Sequence, residues 1–93
     1  MEKELELRWP EPGTDFIYTL LEDGTVRIDH YCGFDRTVVV PEEMAGAPVT
    51  ELGKDSLSHS DKMERVVLPA GLKRIGISAF HSCKRLKEIG VHD

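Results

Sequence analysis

The chain is short, acidic and ordinary in composition. It has 93 residues, of which 40% are hydrophobic and 31% charged, with a formal net charge of -5 at pH 7. This size predicts a single domain, residues 1–93, and this composition excludes a disordered or fibrous class. The 12 lysines and arginines are scattered among 17 acids, so we expect no nucleic-acid partner.

The sequence also bears on the compartment of the protein. No stretch is long and apolar enough for a membrane span, and Glu2, Glu4 and Glu6 occupy the region where a secretory signal would be apolar. We therefore predict no membrane association and a cytoplasmic location, or the cell surface if a signal peptide has been removed. Cys32 and Cys83 are too few for a disulfide scaffold, and we expect two free thiols.

Residues 1–36 predict an N-terminal strand followed by a hairpin. Glu4 to Trp9 alternate polar and apolar side chains with period two, which is typical of a strand. Phe16 to Leu20 and Thr25 to Asp29 are rich in β-forming residues. The Asp23-Gly24 turn between them reaches positive φ at low cost, so the two runs are predicted to pair as a tight hairpin.

From residue 37 the chain follows one repeated pattern. A strand ends in proline, a connector leads to a second short strand that ends in glycine, and a compact turn or single helical coil closes the unit. The first copy runs from residue 37 to about 61, with five extra residues in a loop around residues 42–48. The second runs from about 62 to 85, and the third supplies one strand from residue 86.

From Val49 onward, successive copies match at a spacing of 23 residues. The matched pairs are Val66 and Ile89, Leu68 and Val91, Leu52 and Ile75, Gly53 and Gly76, Leu57 and Phe80, and Met63 and Leu86. A period of this length is typical of a solenoid, in which each unit buries its apolar face only against a neighbour. The matched apolar residues, with Val38, Val40, Val49 and Leu72, are therefore predicted to form the inward ladder. Ile75 and Phe80 are expected to be core anchors.

Charged residues give a second test of the stacking. The spacing places opposite charges side by side in four pairs, namely Glu51 and Arg74, Asp61 and Lys84, Glu64 and Lys87, and Arg65 and Glu88. One pair, Lys62 and Arg85, has like charges. Cross-strand pairing favours opposite charges, so the pattern supports this register.

The second copy resembles the BspA-type, or Treponema-type, leucine-rich repeat. The residues that carry the resemblance are Val66-Val67-Leu68-Pro69, Leu72-Lys73-Arg74-Ile75-Gly76, Ala79-Phe80, Cys83 and Leu86. With the lead-in from Tyr18 it spans about residues 16–92. The first copy departs from the pattern, with Ser56-Leu57 in place of Ala-Phe and Ser60 in place of Cys.

The resemblance implies an α/β fold with a particular architecture. We expect a short right-handed leucine-rich-repeat solenoid, with short parallel strands and single-turn helical coils over residues 37–93. An antiparallel β-hairpin cap over residues 1–36 would precede it. Such repeats bind proteins or surface ligands and carry no catalytic residues, so we expect no enzyme activity and no cofactor.

Two chemical alternatives can be read from short clusters of side chains. Ser56, Ser58, His59, Ser60 and Asp61 contain the residue types of a hydrolase triad, but they lie in one turn and lack a nucleophile elbow. A small hydrolase is thus a remote alternative. His81 and Cys83, with His59 or His92, contain zinc-ligand types, but no second short-spaced pair completes a site, so we expect no metal.

The remaining candidate is a binding surface on the outward side of the repeat strands. Its predicted residues are Val39, Arg65, Val67, Glu88, Gly90 and His92. We expect a protein partner there, although two adjacent valines would also suit an ordinary β-rich surface. A further alternative is a self-associating unit. The third repeat offers a strand edge at residues 86–92, through which a homodimer would pair.

Overall fold

The computed structural model describes residues 15–92, and the predicted strand Glu4 to Trp9 lies outside this range. Within it the chain forms eight strands and no helix. In chain order the strands are β1 Phe16–Leu20, β2 Val26–Tyr31, β3 Thr37–Val39, β4 Glu43–Met44, β5 Ala47–Leu52, β6 Arg65–Leu68, β7 Arg74–Ile75 and β8 Glu88–Val91. No part of residues 15–92 forms a helix long and apolar enough to cross a bilayer.

The predicted hairpin is present. Strands β1 and β2 pair antiparallel, with a bulge between Ile17 and Tyr18. Gly24 adopts a φ of 86°, and Asp23 Oδ1 accepts hydrogen bonds from the Thr25 amide at 3.0 Å and its hydroxyl at 2.6 Å. Both bonds lower the pKa of Asp23, and the bond from the hydroxyl has the larger effect. The turn is therefore stabilised by hydrogen bonds between neighbouring residues, of a kind that an Asp-Gly sequence predicts.

The strands form two sheets whose registers confirm the repeat. In one sheet β5 pairs in parallel with β2 on one side and β7 on the other, which aligns Glu51 with Arg74. In the other, β3, β6 and β8 are parallel. The pairing of Val66 with Ile89 confirms the 23-residue spacing, and Val38 with Val66 confirms the longer first copy.

The five extra residues of the first copy form more than a loop. Strand β4 turns back on the start of β5, and Met44 pairs with Ala47. Ala45 and Gly46, which connect the strands, have φ values of 54° and 79°. Positive φ at both central positions is the geometry that twists a two-residue hairpin correctly, and the alanine there was no signal for it.

The segments between the strands are consecutive turns rather than the predicted single-turn helical coils. Asp55 and His59 have φ values of 57° and 60°, and their equivalents Ser78 and Ser82 have 61° and 60°. A left-handed residue interrupts a right-handed helix, so these segments use short turn bonds such as Ser56 N to Gly53 O at 3.1 Å. The strained positions recur with the repeat and belong to its geometry.

Burial follows the predicted ladder through the first copy and the first strand of the second, and it decreases beyond that strand. The buried set is Phe16, Val26, Ile28, Tyr31, Val38, Val40, Met44, Ala47, Val49, Leu52, Leu57, Met63, Val66, Leu68 and Ala79. Phe80 and Leu86 are partly buried against it. The expectation for Ile75 was wrong, because its side chain is 52% exposed. It lies on β7, which pairs with β5 alone among the strands of residues 15–92.

The predicted charge pairs form in part. Arg74 Nε lies 3.4 Å from Glu51 Oε1, and Arg65 Nε lies 3.5 Å from Glu88 Oε1. No ion pair joins Asp61 to Lys84 or Glu64 to Lys87 in the described part of the chain. The two pairs that form, Glu51 with Arg74 and Arg65 with Glu88, are those whose residues are direct partners in the strand registers.

Candidate functional site

The six predicted residues are brought together on one side of the β3–β6–β8 sheet, and we refer to them as the strand face: Val39, Arg65, Val67, Glu88, Gly90 and His92. Val39 is paired with Val67, and Val67 with Gly90. Side chains alternate along a strand, so the residues between these positions point inward, and Val38 and Val66 are buried. Val39, on the edge strand β3, is 48% exposed.

Charge on the strand face is largely self-neutralised. Arg65 and Glu88 are direct register partners and form the 3.5 Å ion pair across β6 and β8. Both side chains are well exposed to water, so the pair contributes little to stability. The pair matters for the polarity of the strand face. Because the two charges neutralise each other, the adjoining row of Val39, Val67 and Gly90 remains as the apolar part of the face.

The far end of the face is tied to the first-copy insert through Glu42. Its carboxylate accepts the Ala70 amide, at 3.0 Å to Oε2 and 3.3 Å to Oε1. The same Oε2 lies 3.8 Å from Nδ1 of His92, whose amide bonds the Leu68 carbonyl at 2.9 Å. These contacts hold the insert against the ends of β6 and β8.

A cleft of about 380 Å³ borders the face at Val39. It lies between β3 and the start and exit of the hairpin, and Phe16 and Tyr31 form its inner wall with rings 5.2 Å apart. The Tyr31 hydroxyl accepts the Asp35 amide at 3.1 Å. Burial is the main cause that raises the pKa of Tyr31, so its hydroxyl stays protonated at physiological pH.

Sequence reasoning missed this cleft. Its residues come from the hairpin and from β3, which are separate in the chain and meet only because each packs against the same core. The sequence predicted no functional role for Tyr31 or Asp35. Their spacing of four, with a phenol and a carboxylate at the hairpin exit, was the one local signal available.

The Ser, His and Asp cluster, apart from Ser56, lines a second cleft of about 360 Å³, but the hydroxyls of Ser58 and Ser60 are hydrogen-bonded to the backbone. Ser58 Oγ donates to the Asp55 carbonyl at 2.9 Å, and Ser60 Oγ donates to the Leu57 carbonyl at 2.8 Å. Ser56 is fully buried. None of these serines hydrogen-bonds a histidine ring in the described residues, so the pairing that would activate a nucleophile is missing there.

The cysteines and histidines do not assemble into a ligand set either. Cys32 and Cys83 are both free thiols, as predicted. Burial raises the pKa of Cys32, with nearby Asp15 adding to it, and a higher pKa lowers the fraction of reactive thiolate. His59 and His81 meet edge to face at 5.7 Å, yet residues 15–92 contain no group of three or more metal-binding side chains placed to hold an ion.

Comparison with known proteins assigns the class. No protein-family model and no curated protein matches the chain. Among solved structures, a leucine-rich repeat protein of Treponema pallidum matches with a TM-score of 0.81 at 32% identity, covering 86% of this chain and 38% of that one. A leucine-rich repeat protein of Bacteroides capillosus matches with a TM-score of 0.73 at 21% identity, covering 83% and 61%.

A third match is a protein of Faecalibacterium prausnitzii described as a leucine rich cell surface protein. Its TM-score is 0.76 at 20% identity, and the match covers 97% of this chain and 24% of that one. The fold is therefore that of a leucine-rich repeat protein. The predicted resemblance to the BspA-type, or Treponema-type, group is confirmed. The chain spans less than two thirds of the length of each of these structures.

Proposed function

We propose that this protein is a non-catalytic protein-interaction module whose binding surface is the strand face. The observation that carries the proposal is the exposure of Val39, which is 48% accessible beside Val67 although the surrounding charges are paired. An apolar strip with a polar rim is the arrangement found at the centre of many protein interfaces. The partner would place an apolar side chain on this strip and in the cleft beside it.

The surface is also suited to binding because it is preorganised. Three parallel strands hold the strip, and the Glu42 carboxylate fixes the insert at its end. A rigid surface loses little conformational entropy on association, so more of the contact energy is realised as affinity. Binding without chemistry agrees with the backbone-bonded hydroxyls of Ser58 and Ser60.

The hairpin β1–β2 would serve as the cap of a right-handed solenoid. Support comes from β2, which pairs in parallel with β5 and takes the position that a preceding repeat would occupy. Val26 and Ile28 of β2 are fully buried. If the hairpin is a cap, Ile28→Ala should unfold the repeats together with the hairpin in one transition, rather than melting the hairpin alone.

Location follows from the same comparison as a proposal with two outcomes. We propose a cytoplasmic location, with the cell surface as the alternative because one structural neighbour is described as a cell surface protein. Fractionation of the native cells, with detection by an antibody against the chain, distinguishes the two.

Site-specific photo-crosslinking tests the binding proposal. A photoreactive residue at Val39 or Val67 should crosslink the same partner in a native extract. The same residue at Ile77, which is 77% exposed and lies away from the strand face, is the matched control. Val39→Asp should abolish capture, since a charge on the strip must be desolvated. Equal capture from position 77 would contradict the assignment.

Self-association is the second candidate, and a specific observation favours it. Ile89 and Val91 of β8 are 55% and 60% exposed, although their equivalents Val66 and Leu68 are buried. Two β8 edges would cover these side chains in a homodimer through residues 86–92. Sedimentation at micromolar to millimolar concentration tests this, and Ile89→Lys should return a dimer to monomer without lowering the melting temperature of the monomer.

A further inference from the structure

Four side chains form a row beyond the start of the β3–β6–β8 strands, away from the strand face. Phe34, Lys62 and Arg85 hold equivalent positions, each three residues before its strand, and Arg36 lies beside them. The backbone ladder continues to this point, because the Glu64 amide bonds the Arg36 carbonyl at 2.8 Å and the Lys87 amide bonds the Glu64 carbonyl at 2.8 Å. The row is thus held by the same framework as the sheet.

The cations of this row lack the partners that other arginines have. Arg27, Arg65 and Arg74 each have a carboxylate within 4 Å. Across residues 15–92, no ion pair involves Arg36, Lys62 or Arg85. Lys62 and Arg85 are also the one like-charged pair in the repeat register. Like charges placed side by side repel, so this arrangement lowers the stability of the free protein. A bound anion would relieve the repulsion.

The row borders a groove of about 520 Å³, whose lining also includes Asp61. Three cations against one carboxylate leave a net positive groove in a chain whose formal charge is -5. Phe34 stands at its side with 79% of its surface exposed. An exposed phenyl ring beside unpaired guanidinium groups combines an apolar contact surface with N–H donors that can bind a carboxylate in a bidentate way.

We propose that this groove binds an acidic peptide segment of a partner protein that carries an aromatic or aliphatic residue beside its carboxylates. Arg36 and Arg85 would bind carboxylates, and the apolar residue would pack on Phe34. A peptide fits better than a nucleic acid, because the net negative charge of the protein repels a long polyanion and leaves a local attraction only for short acidic segments. The site is separate from the strand face and does not depend on it.

The test is a titration of the full chain with a synthetic peptide of alternating glutamate and phenylalanine. Amide chemical shifts should change around Phe34, Lys62 and Arg85. Arg85→Glu should weaken binding about tenfold or more. Lys84 is an exposed neighbour, and Lys84→Glu makes the same change of charge. If direct contact rather than net charge determines the affinity, this variant should weaken peptide binding less than about twofold.

The other outcomes overturn the proposal. Equal weakening by Arg85→Glu and Lys84→Glu would mean diffuse attraction without a site. Tighter binding of oligothymidylate than of the peptide, with the same dependence on Arg85, would mean a nucleic-acid groove. Self-association that is lost in Arg85→Glu would assign the groove to a second copy. Phe34→Ala, which removes an exposed ring and should fold normally, must also weaken peptide binding.

Discussion

Gly76 lies directly against Gly53, its equivalent in the preceding unit. A Cβ at Gly76 would stand 2.7 Å from the Gly53 carbonyl carbon and 2.7 Å from the Lys54 nitrogen. The Gly76 amide also bonds the Leu52 carbonyl at 2.7 Å. The two glycines recur because successive units approach through their backbones, at a distance that leaves no room for a side chain.

Gly76→Ala should therefore destabilise the protein. Neither backbone segment can move without breaking the sheet, so we expect a loss of about 1–3 kcal/mol in the free energy of unfolding. Urea denaturation measures it. Gly71→Ala is the control, because a Cβ there meets nothing within 4 Å. Equal midpoints for the two variants would disprove the close approach.

Ser56→Ala should stabilise the protein. The Ser56 hydroxyl is buried with no hydrogen-bond partner, and its equivalent in the next unit is the buried Ala79. Removal of an unsatisfied buried hydroxyl should raise the free energy of unfolding by about 1 kcal/mol. Ser60→Ala is the matched comparison, since it removes a bonded hydroxyl and should lower stability. A lower melting temperature for Ser56→Ala would show that the hydroxyl has a partner.

Leu52 and Ile75 occupy the same repeat position and should respond differently to truncation. Leu52 is fully buried, and Leu52→Ala should cost about 2–5 kcal/mol. Ile75 is half exposed, and Ile75→Ala should cost less than about 1 kcal/mol. Phe80→Ala should fall between them, because its ring is partly buried against the core. If Ile75→Ala proves as costly as Leu52→Ala, another chain or segment covers β7 in solution.

Stability should fall as the solution becomes alkaline. Burial raises the pKa values of Cys32 and Tyr31, so the folded state holds their protons after the unfolded chain has released them. The stabilisation is complete below the unfolded pKa values and is lost as pH rises through the folded ones. Denaturation midpoints between about pH 8 and pH 11 measure this loss. Tyr31→Phe should flatten the upper part of the curve, and an unchanged slope would mean that Tyr31 does not titrate differently on folding.

Several features of this protein could be predicted from its sequence. The 23-residue spacing predicted the registers of Val66 with Ile89 and Glu51 with Arg74. The Asp23-Gly24 turn predicted the hairpin. These features are local or periodic, and repeated units that stack must align equivalent residues, so the chain order is enough to derive them.

The tertiary structure decided what periodicity cannot distinguish. The sequence treats Leu52 and Ile75 alike, but burial depends on what packs over each unit, so one is core and the other surface. Positive φ at His59 and Ser82 replaced the expected helical coils with turns. Histidine is enriched in that conformation and serine is not, so residue type alone was too weak a signal to predict it. The row of Phe34, Lys62 and Arg85 likewise became a groove only when stacking brought three distant residues to the same edge.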